Sequence, residues 1–356
     1  ENRPLLRSPL LRIVGFIGAG ATFEGEVGPG QCVRIMTGAP IPAGADTVVK
    51  IEDVEVLGLS ATNAAGTDLV LRKLPRPGDN IRMHGEDAHK GDILLRPGIR
   101  INAAAAGLLA STGHASVLVA RRPRVAIIST GSELVEPTTL PGPGQIRNSN
   151  SYSLSAQVVE VGGIPHILPM VEDSEEALRA SLGAAVAEHD FVITSGGAAE
   201  GDFDYLTKVV GEMGTLFYNK VNMKPGKAQT FGLIEGVPVF GLPGNPVAAA
   251  VGFEILIRPA LRKMQGLVHL KRPLTPARIS TDINKKNESR RLYLRSRLEC
   301  DDEGGYRVTP EANQSSALLS VLNRSNCLLV VPEGSAPVAA GTLCTCLRLD
   351  IDEGVV

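Results

Sequence analysis

Between Pro123 and Gly266 short β-branched runs alternate with longer stretches of helical period, and that alternation restricts the chain more than any other feature. Residues 125–129, 167–170, 191–195, 216–221, 228–233 and 237–242 read as strands, and 151–161, 174–188, 203–213 and 246–264 as helices. Ser174 with two glutamates behind it opens the second helix, and Asn148 or Asn150 caps the first. Strands alternating with helices imply a mostly parallel sheet covered on both faces. In such sheets ligands sit beyond the carboxyl ends of the strands. Three loops of unusual composition fall there: 130–133 (TGSE), 194–197 (TSGG) and 242–246 (LPGNP).

The flanks have a different texture. Residues 10–100 are Gly-rich with short strand-like runs such as 32–36, 47–56 and 68–74, the pattern of a β-rich module with many turns. A helical segment at 103–110 follows, and Arg121-Arg122-Pro123 breaks the chain. Past residue 271 strand-like runs return at 291–298, 327–331 and 343–349. The expected division is therefore 1–122 for the N-terminal β-rich module and its linker, 123–271 for the α/β domain, and 272–356 for a small β domain. With 356 residues, two to four domains is the ordinary number.

A net charge of −2 gives no electrostatic reason to expect nucleic acid or an anionic membrane as partner. The absence of Trp removes the usual stacking platform for single strands. Apolar stretches at 103–110 and 247–257 are too short to span a bilayer, and residues 1–9 lack the shape of a secretory leader. Cys32, Cys300, Cys327, Cys344 and Cys346 show no paired-thiol metal spacing, which suits reduced thiols and a cytoplasmic location.

The chemistry concentrates in residues 191–204. An apolar strand ends in Thr194-Ser195-Gly196-Gly197, and a helix begins at Phe203. Backbone N–H groups bared at such a turn, with the helix N-terminus, form a site for an anion. Asp202 and Asp204 beside a phosphate make sense only with a divalent cation between them, so both are candidate metal ligands. Lys220, Asn222 and Lys224, two apart in an extended segment, face one side of it. They suit an oxyanion or phosphate, or else form a solvated basic strand. Asn245 before Pro246 is a cap and first-turn pair that aims a second helix at the same edge, or a rigid turn with no ligand. Glu133 is either a loop acid in solvent or one that faces the ligand. His84 and His89 have no third ligand at zinc spacing. Arg291 and Arg295 share a strand face, where exposed salt bridging is the default, and Gln314-Ser315-Ser316 is a polar loop. Motifs of serine hydrolases, Walker-type kinases and zinc peptidases are absent.

Taken in order, the segments 34–42 (RIMTGAPIP), 85–94 (GEDAHKGDIL), 129–134 (STGSEL), 144–150 (GQIRNSN), 194–204, 223–227 (MKPGK), 242–246 (LPGNP) and 259–266 (PALRKMQG) resemble the molybdopterin molybdenumtransferase family of the MoeA/gephyrin type, from about residue 12 to about residue 350. The resemblance implies an elongated homodimer with a molybdopterin-binding α/β domain, an arm from the partner subunit and a C-terminal β-barrel. It implies binding of adenylylated molybdopterin and molybdate, Mg²⁺-dependent cleavage of the phosphoanhydride, and release of AMP and molybdenum cofactor. Carried over by position, Asp87, Glu133, Asp173 and Asp204 match acids needed for activity, and Lys220 and Lys224 a basic pair near the oxyanion. Thr130, Gly131, Ser195, Gly196 and Gly197 fall in the cofactor-binding turns, and Pro243 and Pro246 in the loop beside the pterin. Thr37, Arg295 and Ser316 match outlying family residues that complete the cleft.

The same resemblance places a Met-Asp-Gly-Tyr-Ala segment, whose acid contributes to the site, ahead of the first residue here. Ala199-Glu200 replaces the family's Ser and small apolar residue in the phosphate loop, and Asn148 stands where many relatives have Asp. Transient contacts with the molybdopterin adenylyltransferase and with acceptor molybdoenzymes follow from such a role. Two competing readings are an adenylyltransferase, which shares the central domain, and a gephyrin-like binding scaffold. The flanking β modules favour the insertase over the first, and the lack of a long linker disfavours the second.

Overall fold

The computed structural model describes residues 9–57, 65–196, 205–285, 288–301, 304–334 and 336–351. The chain falls into two compact units, residues 1–94 and 95–356, each taken here by itself.

In the first unit, strands β1 (Leu10–Ile17), β2 (Gln31–Ile35), β3 (Val54–Leu57) and β4 (Asp68–Leu71) form one sheet in the order β2-β1-β4-β3. Its core is small: Ile13, Leu69 and Leu71 are buried, with Cys32, Val49 and Val54 packed on them. Only the end of the 47–56 run is a strand, because residues Ile51–Asp53 close a 3₁₀ turn first.

The second unit opens with α1 (Ala103–Ser111), capped by the Asn102 side chain on the Ala105 amide. Strands β5 (Arg124–Ser129), β6 (Leu134–Val135) and β7 (Ile146–Arg147) lead to α2 (Asn150–Glu160). Then follow β8 (Ile164–Ile167), α3 (Glu175–Glu188), β9 (Phe191–Ser195), α4 (Tyr205–Met213), β10 (Thr215–Lys220), β11 (Met223–Lys224), β12 (Ala228–Ile234) and β13 (Val237–Leu242). The sheet order is β10-β12-β13-β9-β5-β8. Strands β13, β9, β5 and β8 are mutually parallel, while β12 and β10 join antiparallel at one side.

The apolar runs at 125–128 and 191–193 are continuous because the sheet is covered twice. Val125, Ile127, Phe191 and Ile193 pack on Leu154 and Val158 of α2 and on Phe253, Ile257 and Leu261. Ala126, Ile128 and Val192 point the other way, onto Leu178 and Leu182 of α3 and Leu206, Val209 and Val210 of α4. Each such large aliphatic side chain contributes about 1.5–3 kcal/mol by leaving water.

Two of the elements expected in the α/β domain lie differently. The 167–170 strand lies earlier, at β8, since Pro169 has no N–H to extend the ladder; Pro165 is tolerated because β8 is an edge strand. The 246–264 helix is three pieces: α5 (Pro246–Gly252), a π-helical turn at Phe253–Ile257, and α6 (Arg258–Met264). Pro259 inside a helix lacks an amide and crowds the carbonyl four residues back, and the widened turn absorbs that mismatch.

Beyond α6, strands β14 (Leu274–Ile279), β15 (Arg291–Cys300), β16 (Tyr306–Pro310), β17 (Cys327–Val331) and β18 (Leu343–Arg348) close into a five-stranded barrel, with α7 (Leu319–Arg324) ahead of β17. Closure leaves β15 bonded to β16 and β17. The short β11 adds to β15 in parallel, Met223 opposite Arg291 and Lys224 opposite Leu292. Met223 is buried there with Val247, Val251, Tyr293, Leu328 and Leu347. That apolar seam fixes the barrel against the strand-end edge of the sheet.

Candidate functional site

The carboxyl ends of β5, β9 and β13 stand side by side, with Ser129 opposite Ser195 and Leu242 opposite Ser195. The loops leaving them are tied together by main-chain bonds. The Thr130 amide donates to Ser195 O at 3.0 Å, and the Gly196 amide to Leu242 O at 3.2 Å. Gly196 has φ +93°, and a Cβ there would meet the Thr130 carbonyl oxygen at 2.3 Å, so only glycine fits. The amides of Thr130 and Gly196 are thus engaged within the protein. This corrects the expectation of bared donors at this part of the turn: the described residues hold the turn closed. Gly197, Asp202 and Asp204, with Ala199 and Glu200, lie outside the described residues.

Beneath the turn lies a buried polar network. Asn148 Oδ1 accepts from the Ser151 amide at 3.1 Å and so caps α2, while Asn148 Nδ2 donates to Ser151 Oγ at 2.9 Å. Ser129 Oγ and Ser151 Oγ are 2.8 Å apart. Asn150, the other candidate cap, does different work. Its Nδ2 donates to Ser195 Oγ at 2.7 Å and to Gly244 O at 2.9 Å, clasping the loops after β9 and β13. A carbonyl only accepts, so this contact fixes the amide orientation. Asn150 Oδ1 and the hydroxyls of Thr130 and Thr194 are buried without a partner among the described residues.

Asn245 occupies the cap position of α5 but its side chain makes no cap bond; the Ser316 carbonyl accepts the Val247 amide instead, at 2.9 Å. Lys220 and Lys224 do not share one extended face. Strand β10 ends at Lys220, and the Met223 amide turns back to Val221 O at 2.8 Å before β11 begins. Lys224 Nζ lies 3.0 Å from Glu288 Oε2, and the same carboxylate takes the Arg290 guanidinium through Nε at 2.7 Å and Nη2 at 2.8 Å. The Arg290 fork, with Lys224, holds the Glu288 carboxyl down at about 2.

Arg295 departs from the default for a strand arginine. Arg291 is exposed and pairs with Glu333 at 3.1 Å. Arg295 is 1% exposed, and among the described residues its guanidinium reaches only the Tyr293 and Ser315 carbonyls, both at 3.4 Å, with Nε unpartnered. Gln314 clasps the Arg295 main chain from both sides, accepting its N–H at 3.0 Å and donating to its carbonyl at 2.8 Å. Burial pushes the guanidinium down to about 10, and no carboxylate among the described residues offsets its charge.

These groups line one cleft of about 1930 Å³. Thr130, Gly131, Glu133, Asp173, Ser195 and Gly196 reach it from the strand ends. Lys224, Pro243, Pro246, Arg295 and Ser316 reach it from β11, the β13 loop and the barrel. Lys220 is exposed on β10 and is not part of the lining, and Thr37 and Asp87 are exposed in the first unit. Asn150, Glu288, Arg290 and Gln314 also line the cleft and were not singled out from sequence. Asn150 left a trace there as a candidate cap, and Gln314 as part of a polar loop. The described residues contain no group of three or more His, Cys, Asp or Glu that could hold a metal ion.

Comparison with known proteins covers nearly the whole chain. Residues 5–113 match the MoeA N-terminal region (domain I and II), residues 126–263 the probable molybdopterin binding domain, and residues 276–349 the MoeA C-terminal region (domain IV). The molybdopterin molybdenumtransferase of Bacillus subtilis is 36% identical over 343 residues, 96% of this chain and 78% of that protein. The Staphylococcus epidermidis protein of the same name is 35% identical over 332 residues, 93% of this chain and 77% of the relative. The crystal structure of a molybdopterin biosynthesis MoeA protein from Pyrococcus horikoshii superposes with a TM-score of 0.76 at 28% identity, over 95% of this chain and 81% of that one.

Proposed function

Since the chain belongs to the MoeA-type molybdopterin molybdenumtransferase family, a transferase family of molybdenum cofactor biosynthesis, we propose that its cleft takes adenylylated molybdopterin together with molybdate and releases AMP and molybdenum cofactor. The observation that carries this reading is Arg295, a desolvated guanidinium with no carboxylate partner among the described residues, in the same cleft as the strand-end turns. A buried cation of that kind is complementary to an anion brought in from outside.

In this reading each wall has its own task. The turns at Thr130–Gly131 and Ser195–Gly196 seat the pterin and its phosphates, the first tied to the second by the Thr130 amide on Ser195 O and the second to the β13 loop by the Asn150 clasp. Arg295 and Lys224 hold the oxyanion, and Ser316 keeps the start of α5 in place through its carbonyl. Cleaving the phosphoanhydride develops charge on the departing phosphate oxygens, and fixed cations aimed there lower the barrier. A bound Mg²⁺ would supply further neutralisation of those oxygens. Its expected holders, Asp202 and Asp204, lie outside the described residues.

The experiment is direct. Incubating the protein with adenylylated molybdopterin, molybdate and Mg²⁺ should release AMP, and Lys224→Ala should lower turnover by about 10²-fold, the usual size for one lost charge-stabilising contact. No AMP from the wild type, or consumption of ATP with free molybdopterin in its place, rejects the insertase reading in favour of an adenylyltransferase.

A further inference from the structure

The barrel ladder is interrupted beside Arg295. In the β15–β16 register Ser296 faces Pro310, so the next pair in line is Arg295 with Glu311. The Glu311 amide does donate to Arg295 O, at 2.9 Å, which marks a position where an antiparallel pair exchanges two hydrogen bonds. Pro310 then falls at the non-bonded position before it, where a missing N–H takes nothing from the ladder. The second bond of the exchange, from Arg295 N–H to Glu311 O, is replaced by a side chain. Gln314 Oε1 accepts the Arg295 N–H at 3.0 Å, while Gln314 Nε2 donates to Glu311 O and to Arg295 O, both at 2.8 Å. Both Nε2 contacts are to carbonyls, which fixes the orientation of the amide. A carboxamide carries the donor and the acceptor of a peptide group. Gln314 therefore acts as a wedge that completes the ladder sideways and keeps the Glu311 carbonyl off β15.

We propose that Gln314 is a positioning residue for Arg295: by propping the ladder open at this pair it sets where the guanidinium stands in the cleft, and so how tightly the oxyanion is held. This inference rests on the oxyanion reading of the cleft. Closing the pair directly would satisfy the same main-chain groups without ordering a glutamine side chain, which costs rotamer entropy. The wedge supplies something a closed pair lacks. It fixes the neighbouring Ser315, whose carbonyl is one of the two acceptors described for the guanidinium, at 3.4 Å. Contacts that long orient a guanidinium weakly, so its place depends on the main chain that carries it. Gln314 acts through Arg295, because both ends of its own carboxamide are committed to the main chain.

Gln314→Met, of similar length but with no donor or acceptor, removes the wedge and lets the Arg295 N–H close onto Glu311 O. The ligand-free crystal structure of this variant should show that bond formed and the guanidinium displaced by about 1 Å or more. Calorimetric titration at fixed ionic strength should show molybdate affinity lowered by about fivefold or more. In turnover the KM for molybdate should rise while the KM for adenylylated molybdopterin stays within about twofold, a split that general loosening of the fold would not give. Gln314→Asn, whose carboxamide is one methylene too short to span the gap, should show the same split, and it carries the test if Gln314→Met does not fold. A guanidinium that stays in place, an unchanged molybdate affinity, or both KM values rising together overturns the inference and makes Gln314 a structural residue. In each of those cases a wild type that binds molybdate leaves the oxyanion reading standing. A wild type that takes up no molybdate brings down that reading and this inference together.

Discussion

Arg295 carries a cost that only a ligand can repay. Its folded-state value is pushed down by burial, so the charged form is disfavoured relative to the unfolded chain, and that penalty is present in full at neutral pH, well below about 10. Arg295→Met should leave the ligand-free protein as stable as wild type or more so, by up to about 2 kcal/mol, and should abolish the rise in Tm that molybdate gives the wild type. A fall of several degrees in the ligand-free Tm would instead make Arg295 a structural residue. Single residues were unevenly legible from sequence. Gly196, Pro243 and Glu133 announce themselves because turns after strands need special residues, and Gly196 is confirmed as a position where a Cβ has no room. Glu288 gives no such sign, because its partner Lys224 is brought to it by a pairing between β11 and β15 that no local pattern encodes. Asn150 read as a helix cap, and only the approach of the β9 and β13 loops shows what else it binds.

At the scale of elements, periodicity located the strands and helices of the α/β domain because both faces of its sheet are buried, which makes each strand a continuous apolar run. It misplaced β8, where a short edge strand carries two prolines nearby, and it missed the π-helical turn, where Pro259 sits in an otherwise helical pattern. That turn has a structural consequence. Glu254 within it is almost fully buried and meets Arg272 Nε at 2.8 Å and Arg258 Nε at 3.8 Å, while Arg272 and Arg258 also reach Glu160 at the end of α2. Arg272 Nη1 further donates to Ile351 O at 3.2 Å, which links the helix to the end of the described chain. Removing the shared carboxylate leaves Glu160 to balance two buried guanidinium groups. Glu254→Ala should cost about 3–5 kcal/mol in urea unfolding. A loss below about 1 kcal/mol would show that the cluster relaxes into water.

For the whole molecule, the barrel matters as much as the sheet. The strand ends alone, whose described amides at Thr130 and Gly196 are already bonded within the protein, offer a seat but little positive charge. Arg290 and Arg295 are contributed by barrel strand β15 and the loop before it, and Lys224 by the short strand added to that barrel. The flanking β modules and the order of motifs are legible in the sequence, but the junction between sheet and barrel emerges only when β11 pairs with β15. The central claim is that the oxyanion is held at this junction, between Lys224 and Arg295. A crystal of the protein soaked in tungstate, whose heavy atom can be located by anomalous scattering, tests it most directly. The account predicts one strong peak within contact distance of both the Arg295 guanidinium and the Lys224 ammonium; a peak elsewhere in the cleft, with these two side chains unmoved and unoccupied, would contradict it.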